Sequence, residues 1–194
     1  MSTFIKFLGW DGFRLPVVTP VNYVIEFSEC HYGVCFSKAA DAKRFQIGDI
    51  FYLSRFVERP NDSRIFARGI VLDFDEERDR ATASDIERLA WKEQWSYMRR
   101  LKNVEFIKGR LENCISLNTL IEKLNTDSFR GSKERVAKGE INVNPRESLM
   151  QQSDVELTPE SSSWLQKEFT RKIDWLGSVS QKWINNLPRP EKDI

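Results

Sequence analysis

Residue types that carry chemistry are sparse in this chain. His31 is its only histidine, so an acid–base site built on imidazole has one candidate and no second ring to work with. Cys30, Cys35 and Cys114 are odd in number and form no CxxC pair, which argues against a disulfide framework and fits a reducing compartment. Cys30, His31 and Cys35 lie close together, but adjacent residues followed by a short gap do not match the usual zinc spacings. No metal is expected there, and the thiols read as small buried apolar groups. Asp73, Asp75, Glu76 and Glu77 crowd together as nuclease carboxylates do, yet no D…(D/E)-x-K arrangement follows at short range. A solvated strand end is the simpler reading. GxSxG, P-loop, GxGxxG and HExxH patterns are absent, so no catalytic residue and no cofactor is assigned.

Aromatic surface and local positive charge are more promising. Trp91 and Trp95 are four apart, so on a helical turn they share a face, and on an extended segment their side chains also point the same way. Either geometry builds one wall of a cleft. Stacking on such rings is worth about 1–3 kcal/mol per base, which offsets most of the few kcal/mol needed to unpair one. Large aromatics are mostly buried, so a core role for both stays open, and Trp10 reads as core or as the rim of the same cleft. Arg99, Arg100, Lys102, Lys108 and Arg110 form one basic group, and Arg130, Lys133, Arg135 and Lys138 follow Gly131 as another. Such spacing lines a phosphate track, with Gly131 letting backbone N–H groups approach an oxyanion. Interspersed Glu105, Glu112, Glu134 and Glu140 fit an ordinary solvated surface equally well.

The elements that must position these residues are mostly strands. Residues 4–10, FIKFLGW, read as a strand ending at Asp11-Gly12. Thr19-Pro20 offers an N-cap and a first-turn proline for a short helix to about Cys30, with a strand reading close behind. GVCFS, from Gly33 to Ser37, reads as a short buried strand. Ile50–Phe56 and Arg64–Phe74 read as a hairpin, with Gly69 marking a bulge or a close backbone approach. Asp75–Arg88 reads as a loop or exposed helical turn capped by Thr82, Ser84 or Asp85. Arg99–Ile107 is a further strand, and Ser116 opens a helix whose Leu117, Leu120, Ile121 and Leu124 share a stripe. Periodicity fades from Asp127 to Ser163. It returns in Trp164, Leu165, Phe169, Ile173, Leu176, Val179 and Trp183, an amphipathic helix ended by Pro188 and Pro190.

With 194 residues, 40% apolar and 30% charged, the chain is long enough for a real core and is globular in composition. The formal net charge of +1 advertises no global field for a polyanion. No apolar run approaches the roughly 18–20 residues that span a bilayer. The start, MSTFIKFLGWDGF, has no basic n-region or long apolar stretch, so the expected location is cytoplasmic and no membrane partner is expected.

From Gly33 onward the order of features resembles the YTH and EVE branch of the PUA-like superfamily, β-barrel domains that read modified bases. GVCFSKAADAKRFQIGDIFYLSRF followed by RIFARGIVLDF resembles that family's small-polar strand end, its GD-x-hydrophobic strand and its return strand. WKEQWSYMRRLKNVEFIKGRL resembles its paired tryptophans and late strand, and SLNTLIEKLNTDSFRGS its short helix and F-x-G-S loop. The resemblance covers residues 1–145. It implies a mixed α+β, PUA-like barrel flanked by short helices; beyond it, composition and periodicity give a linker over 146–163 and a C-terminal helix over 164–187 that packs on the barrel or on a partner.

By the same resemblance, Trp91 or Trp95 is the cage tryptophan and Ser37 the polar group at the base edge, with Phe36 beside it. Arg130 and Ser132 take the backbone phosphates, and Lys133, from the basic group after Gly131, is placed with them. Where YTH readers carry a further tryptophan ahead of that serine, this chain has Cys35-Phe36, so an EVE-like pocket is the better carry-over. The expected function is non-catalytic binding of DNA or RNA through a flipped base, plain or modified. The alternative is a protein-interaction or small-molecule-binding module on the same fold. The C-terminal helix, with Trp175 off its main stripe, offers a surface to a partner protein or second domain.

Overall fold

A computed structural model of the chain describes residues 1–8, 30, 33–58, 62–107, 110–123, 134, 137–139 and 154–172. The fold is mixed α+β. Its strands are β1 (Thr3–Phe7), β2 (Gly33–Phe36), β3 (Ile50–Glu58), β4 (Asp62–Val71), β5 (Tyr97–Phe106), β6 (Ile115–Ser116) and β7 (Asp154–Glu156). The helices are α1 (Ala39–Lys43), α2 (Ala83–Arg88), α3 (Leu117–Lys123) and α4 (Pro159–Lys172). The strands form one sheet in the order β2-β5-β4-β3-β1-β7. β1 runs parallel to β3, and every other pairing is antiparallel. β4 shares one edge between two partners: β5 takes Ala67–Val71, and β6 takes Arg64 and Ile65.

This sheet curls into a half-barrel. β1 and β2 are separated by three strands, yet Lys6 Nζ of β1 stands 4.1 Å from the centroid of the Phe36 ring of β2. The face on which they meet is therefore the inside of the curl. Four phenylalanines fill it edge to face: Phe45, which follows α1, lies 5.0 Å from Phe4 and 4.6 Å from Phe51, and 5.5 Å from Phe36 at a tilt. Tyr52 follows Phe51 and so points to the other side. There Phe169 of α4 meets the Tyr52 ring at 5.3 Å, with the Arg68 guanidinium 4.9 Å above the Phe169 ring. Leu165 and Phe169 are fully buried, so the described part of the last helix packs on its own sheet.

Close strand approach depends on two glycines. At Gly69 the β4–β5 register slips: Arg68 pairs with Glu105 and Ile70 with Lys102, and Asn103 takes a left-handed φ of 50°. A Cβ at Gly69 would meet Val104 Cγ2 at 3.0 Å, so the bulge expected here is present and tightly packed. At Gly33 a Cβ would stand 2.6 Å from the carbonyl oxygen of Arg99, against backbone that cannot yield.

The hairpin Ile50–Phe56 with Arg64–Phe74, the strands at 4–10, 33–37 and 99–107, and the helix after Ser116 are all found, with ends shifted by a few residues. The linker over 146–163 is corrected. β7 lies within it, pairing Lys6 with Asp154 and Phe4 with Glu156, and α4 begins at Pro159 rather than Trp164. Three residues are too few to show alternation; β7 exists because β1 offers an open edge, sealed further by the Leu157 N–H to the Thr3 carbonyl at 2.8 Å. The helix expected before Cys30 and the part of the last helix beyond residue 172 lie outside the described residues.

Replacing Gly33 by alanine forces β2 off β5. Gly33→Ala is expected to cost about 1–3 kcal/mol, read as a lower urea midpoint, and Phe169→Ala about 3–5 kcal/mol. A Gly33→Ala midpoint equal to that of the unaltered chain would contradict the close β2–β5 approach.

Candidate functional site

Alternation along β2 sorts the candidate residues. Val34 and Phe36 enter the curl, whereas Cys35 points outward. Cys35 lies directly opposite Met98 of β5, and with Cys30 these two form a small buried cluster separate from the main core. Trp91, Trp95 and Ala81 pack against it, both indoles half-buried.

The tryptophans owe their place to a chain of local hydrogen bonds. Thr82 and Asp85 form a capping box at the start of α2: Asp85 N–H donates to Thr82 Oγ1 at 3.2 Å, and Thr82 N–H donates to Asp85 Oδ2 at 2.8 Å. α2 ends where the Leu89 N–H returns to the Asp85 carbonyl at 3.0 Å, and a 3-10 turn, Ala90–Glu93, follows directly. The Trp95 N–H then reaches the Trp91 carbonyl at 3.2 Å, so the two residues sit on one turn, as their spacing predicts. Lys92 between them is fully buried, its Nζ 3.5 Å from Asp85 Oδ1.

Ser37 comes to the same corner. It follows Phe36, whose partner is Tyr97, and Tyr97 follows Trp95 by two residues; the Ser37 side chain is exposed. Phe36 does not join them. It is 1% exposed, packed on Phe45 and under the Lys6 ammonium, so its ring has no free face on which to stack a ligand. The one-residue difference between Cys35 and Phe36 places them on opposite faces, and Cys35 is the one beside the tryptophans. Arg130, Ser132 and Lys133, like His31 and Trp10, lie outside the described residues.

Much of the expected basic track is engaged elsewhere. Arg99 is 3% exposed and donates to the carbonyl oxygens of Ala42 at 3.1 Å and Phe45 at 2.9 Å, tying the end of α1 to β5. Burial pulls its pKa down, against the upward pull of the Asp73, Asp79 and Asp49 charges. Arg100 reaches Asp73 and Asp79, each at 3.0 Å, and Arg110 pairs with Glu112 at 3.1 Å. Lys102 stays exposed. The Asp73 cluster is likewise an ion-pair lattice. Arg78 reaches Asp73 at 3.1 Å and the buried Asp79 carboxylate at 2.7 Å, and Asp79 also accepts the Asp75 N–H at 2.9 Å.

Among the described residues no three His, Cys, Asp or Glu side chains converge as a metal-binding group, and no helix is long and apolar enough to cross a membrane. Burial pushes the Cys114 thiol up to about 12, which leaves it protonated and unreactive at neutral pH. A shallow cavity of about 620 Å³ runs along α4, lined by Ser163, Gln166, Lys167, Glu168, Thr170 and Arg171. It is open, on a different element from the tryptophan corner.

Met98 is the member of the corner that sequence reasoning missed. Its signal is the register of β2 on β5, which no local pattern displays. Comparison with known protein families and with characterised proteins finds no match to this chain.

Burial alone would raise the Asp79 carboxyl, but the Arg78 hydrogen bond, the Asp75 N–H and the Arg100 charge outweigh it and hold the carboxyl below its usual range. A depressed folded-state pKa stabilises above the unfolded value near ~4 and is lost as pH falls through the folded one. Stability is therefore expected to fall below about pH 4, and Asp79→Asn to remove part of that dependence while lowering stability at pH 7. Urea melts of both chains at stepped pH check it.

Proposed function

We propose that this chain is a non-catalytic nucleic-acid-binding module that receives an unstacked base, plain or modified, against Trp91 and Trp95, with Ser37 at the base edge. The observation that carries the reading is the pair of half-buried indoles on one turn, held by a capped helix over a cluster apart from the main core. Rings that only filled the core would be expected within the main cluster, with Phe36 and Phe45 on one face of the sheet or Tyr52 and Phe169 on the other. The resemblance to EVE- and YTH-like domains supports the same residues, apart from Phe36, which here supports the barrel instead of lining the recess. Arg80 and Arg88 are exposed nearby, and Arg130, Ser132 and Lys133 remain the proposed phosphate contacts.

Charge favours a second reading. Acidic residues outnumber basic ones from Asp73 to Arg100, and Arg78 and Arg100 are already paired with carboxylates. A corner of near-balanced charge and half-buried aromatic surface also fits a protein partner or a planar small molecule.

Fluorescence anisotropy with labelled single- and double-stranded oligonucleotides, unmodified and methylated, separates the two. The proposal expects binding that weakens steeply with salt, and loss of about 1–3 kcal/mol in Trp91→Ala or Trp95→Ala with the circular-dichroism spectrum unchanged. If no oligonucleotide binds at low salt, the second reading replaces the first.

A further inference from the structure

We propose that Cys30, Cys35 and Met98 form a binding site for a soft monovalent metal ion, Cu(I) or Ag(I), beneath Trp91 and Trp95. This site is independent of the nucleic-acid reading. The cluster's buried members are all sulfur-bearing: Cys30 is 3%, Cys35 4% and Met98 0% exposed, and no buried leucine, isoleucine, valine or phenylalanine is among them. Every other buried apolar side chain described here, Cys114 included, belongs to the main core, so these three sulfurs form a group apart from it.

The backbone holds them in reach of one another. Cys35 and Met98 are direct partners across an antiparallel pair, which sets their Cβ atoms about 4.5–5.5 Å apart on one face. Cys30 is folded back to the head of β2 by the Gly33 N–H, which donates to the Cys30 carbonyl at 2.9 Å. Side chains in such a cluster touch at about 4.0–4.5 Å. Two sulfurs bound to one ion through bonds of about 2.3 Å stand at nearly that separation. A disulfide would instead need about 2.0 Å and a specific dihedral, a larger rearrangement.

Ligand chemistry selects the ion. Two thiolates and a thioether make a soft set suited to Cu(I), whereas three ligands of which one is a neutral thioether fall short of the four nitrogen or thiolate ligands of a structural zinc site. Binding is a simple exchange: one monovalent ion enters, both thiols release their protons to solvent, and no electron moves. The indoles packed against the cluster report the arrival of an ion there.

The test uses the full-length, reduced chain under anaerobic conditions, with Cu(I) supplied as its bicinchoninate complex. The expected result is transfer of about one Cu(I) per chain, with quenching of tryptophan fluorescence. Loss of even an outer partner weakens metal sites about 10–100-fold, so Cys35→Ser and Met98→Leu are each expected to weaken binding at least about tenfold. Met98→Leu nearly conserves volume, which keeps the fold. Cys114→Ser, at a thiol bonded to the Arg110 carbonyl in the main core, leaves binding unchanged. Retention of all Cu(I) by bicinchoninate overturns the proposal, as does Met98→Leu binding like the unaltered chain. So does a copper-edge absorption spectrum of the unaltered complex that requires nitrogen or oxygen ligands.

Discussion

Strand β2 is four residues long, and the opposite facing of its successive side chains organises much of what surrounds it. Val34 and Phe36 go into the curl and are packed there; Cys35 goes out and meets Met98. Were the register on β5 slipped by one residue, Phe36 would face the tryptophans and the phenylalanine cluster would lose a ring. Gly33 protects that register, because only a residue without a side chain fits against the Arg99 carbonyl. Arg99, one residue along β5 from Met98, then ties α1 and Phe45 over the inner face. Core and corner are thus two sides of one short pairing.

A second theme is how much charge is taken up internally. Lys6, Arg55, Lys92 and Arg99 are all nearly or wholly buried. A buried charge is tolerated only when paired or hydrogen-bonded, so each is committed to the fold. Lys6 lies over Phe36, Lys92 beside Asp85, and Arg99 against two carbonyl oxygens. Counting basic residues along the chain therefore overstates the positive surface available to a phosphate backbone. What remains exposed near the corner is a lattice of arginines and aspartates, whose field is short-ranged and mixed in sign.

Strong local signals were legible in the sequence. The alternation of the β3–β4 hairpin, the Thr82 cap and the Leu117–Leu120–Ile121 stripe each depend on neighbours close in sequence, and each is found as read. The spacing of Trp91 and Trp95 also translated directly into a shared turn. The misses depend on distant partners. β7 is a strand only because β1 has a free edge; α1 is held by an arginine from β5; Phe36 is core because β1 curls round to meet it. Met98 joined the site for the same reason. Nothing within ten residues of it announces that Cys35 lies opposite.

The position of β1 carries a consequence for how the molecule comes together. β1 is flanked by β3 on one side and by β7 on the other, with Phe4 opposite both Phe51 and Glu156. A ribosome emits these segments far apart in time. Until Asp154–Glu156 emerges, the strand formed first keeps a row of open N–H and C=O groups, a template for any passing chain. Closure across such a span raises contact order, so a segment made late completes a strand made early, and a nascent chain stopped short of it is exposed to edge-to-edge aggregation.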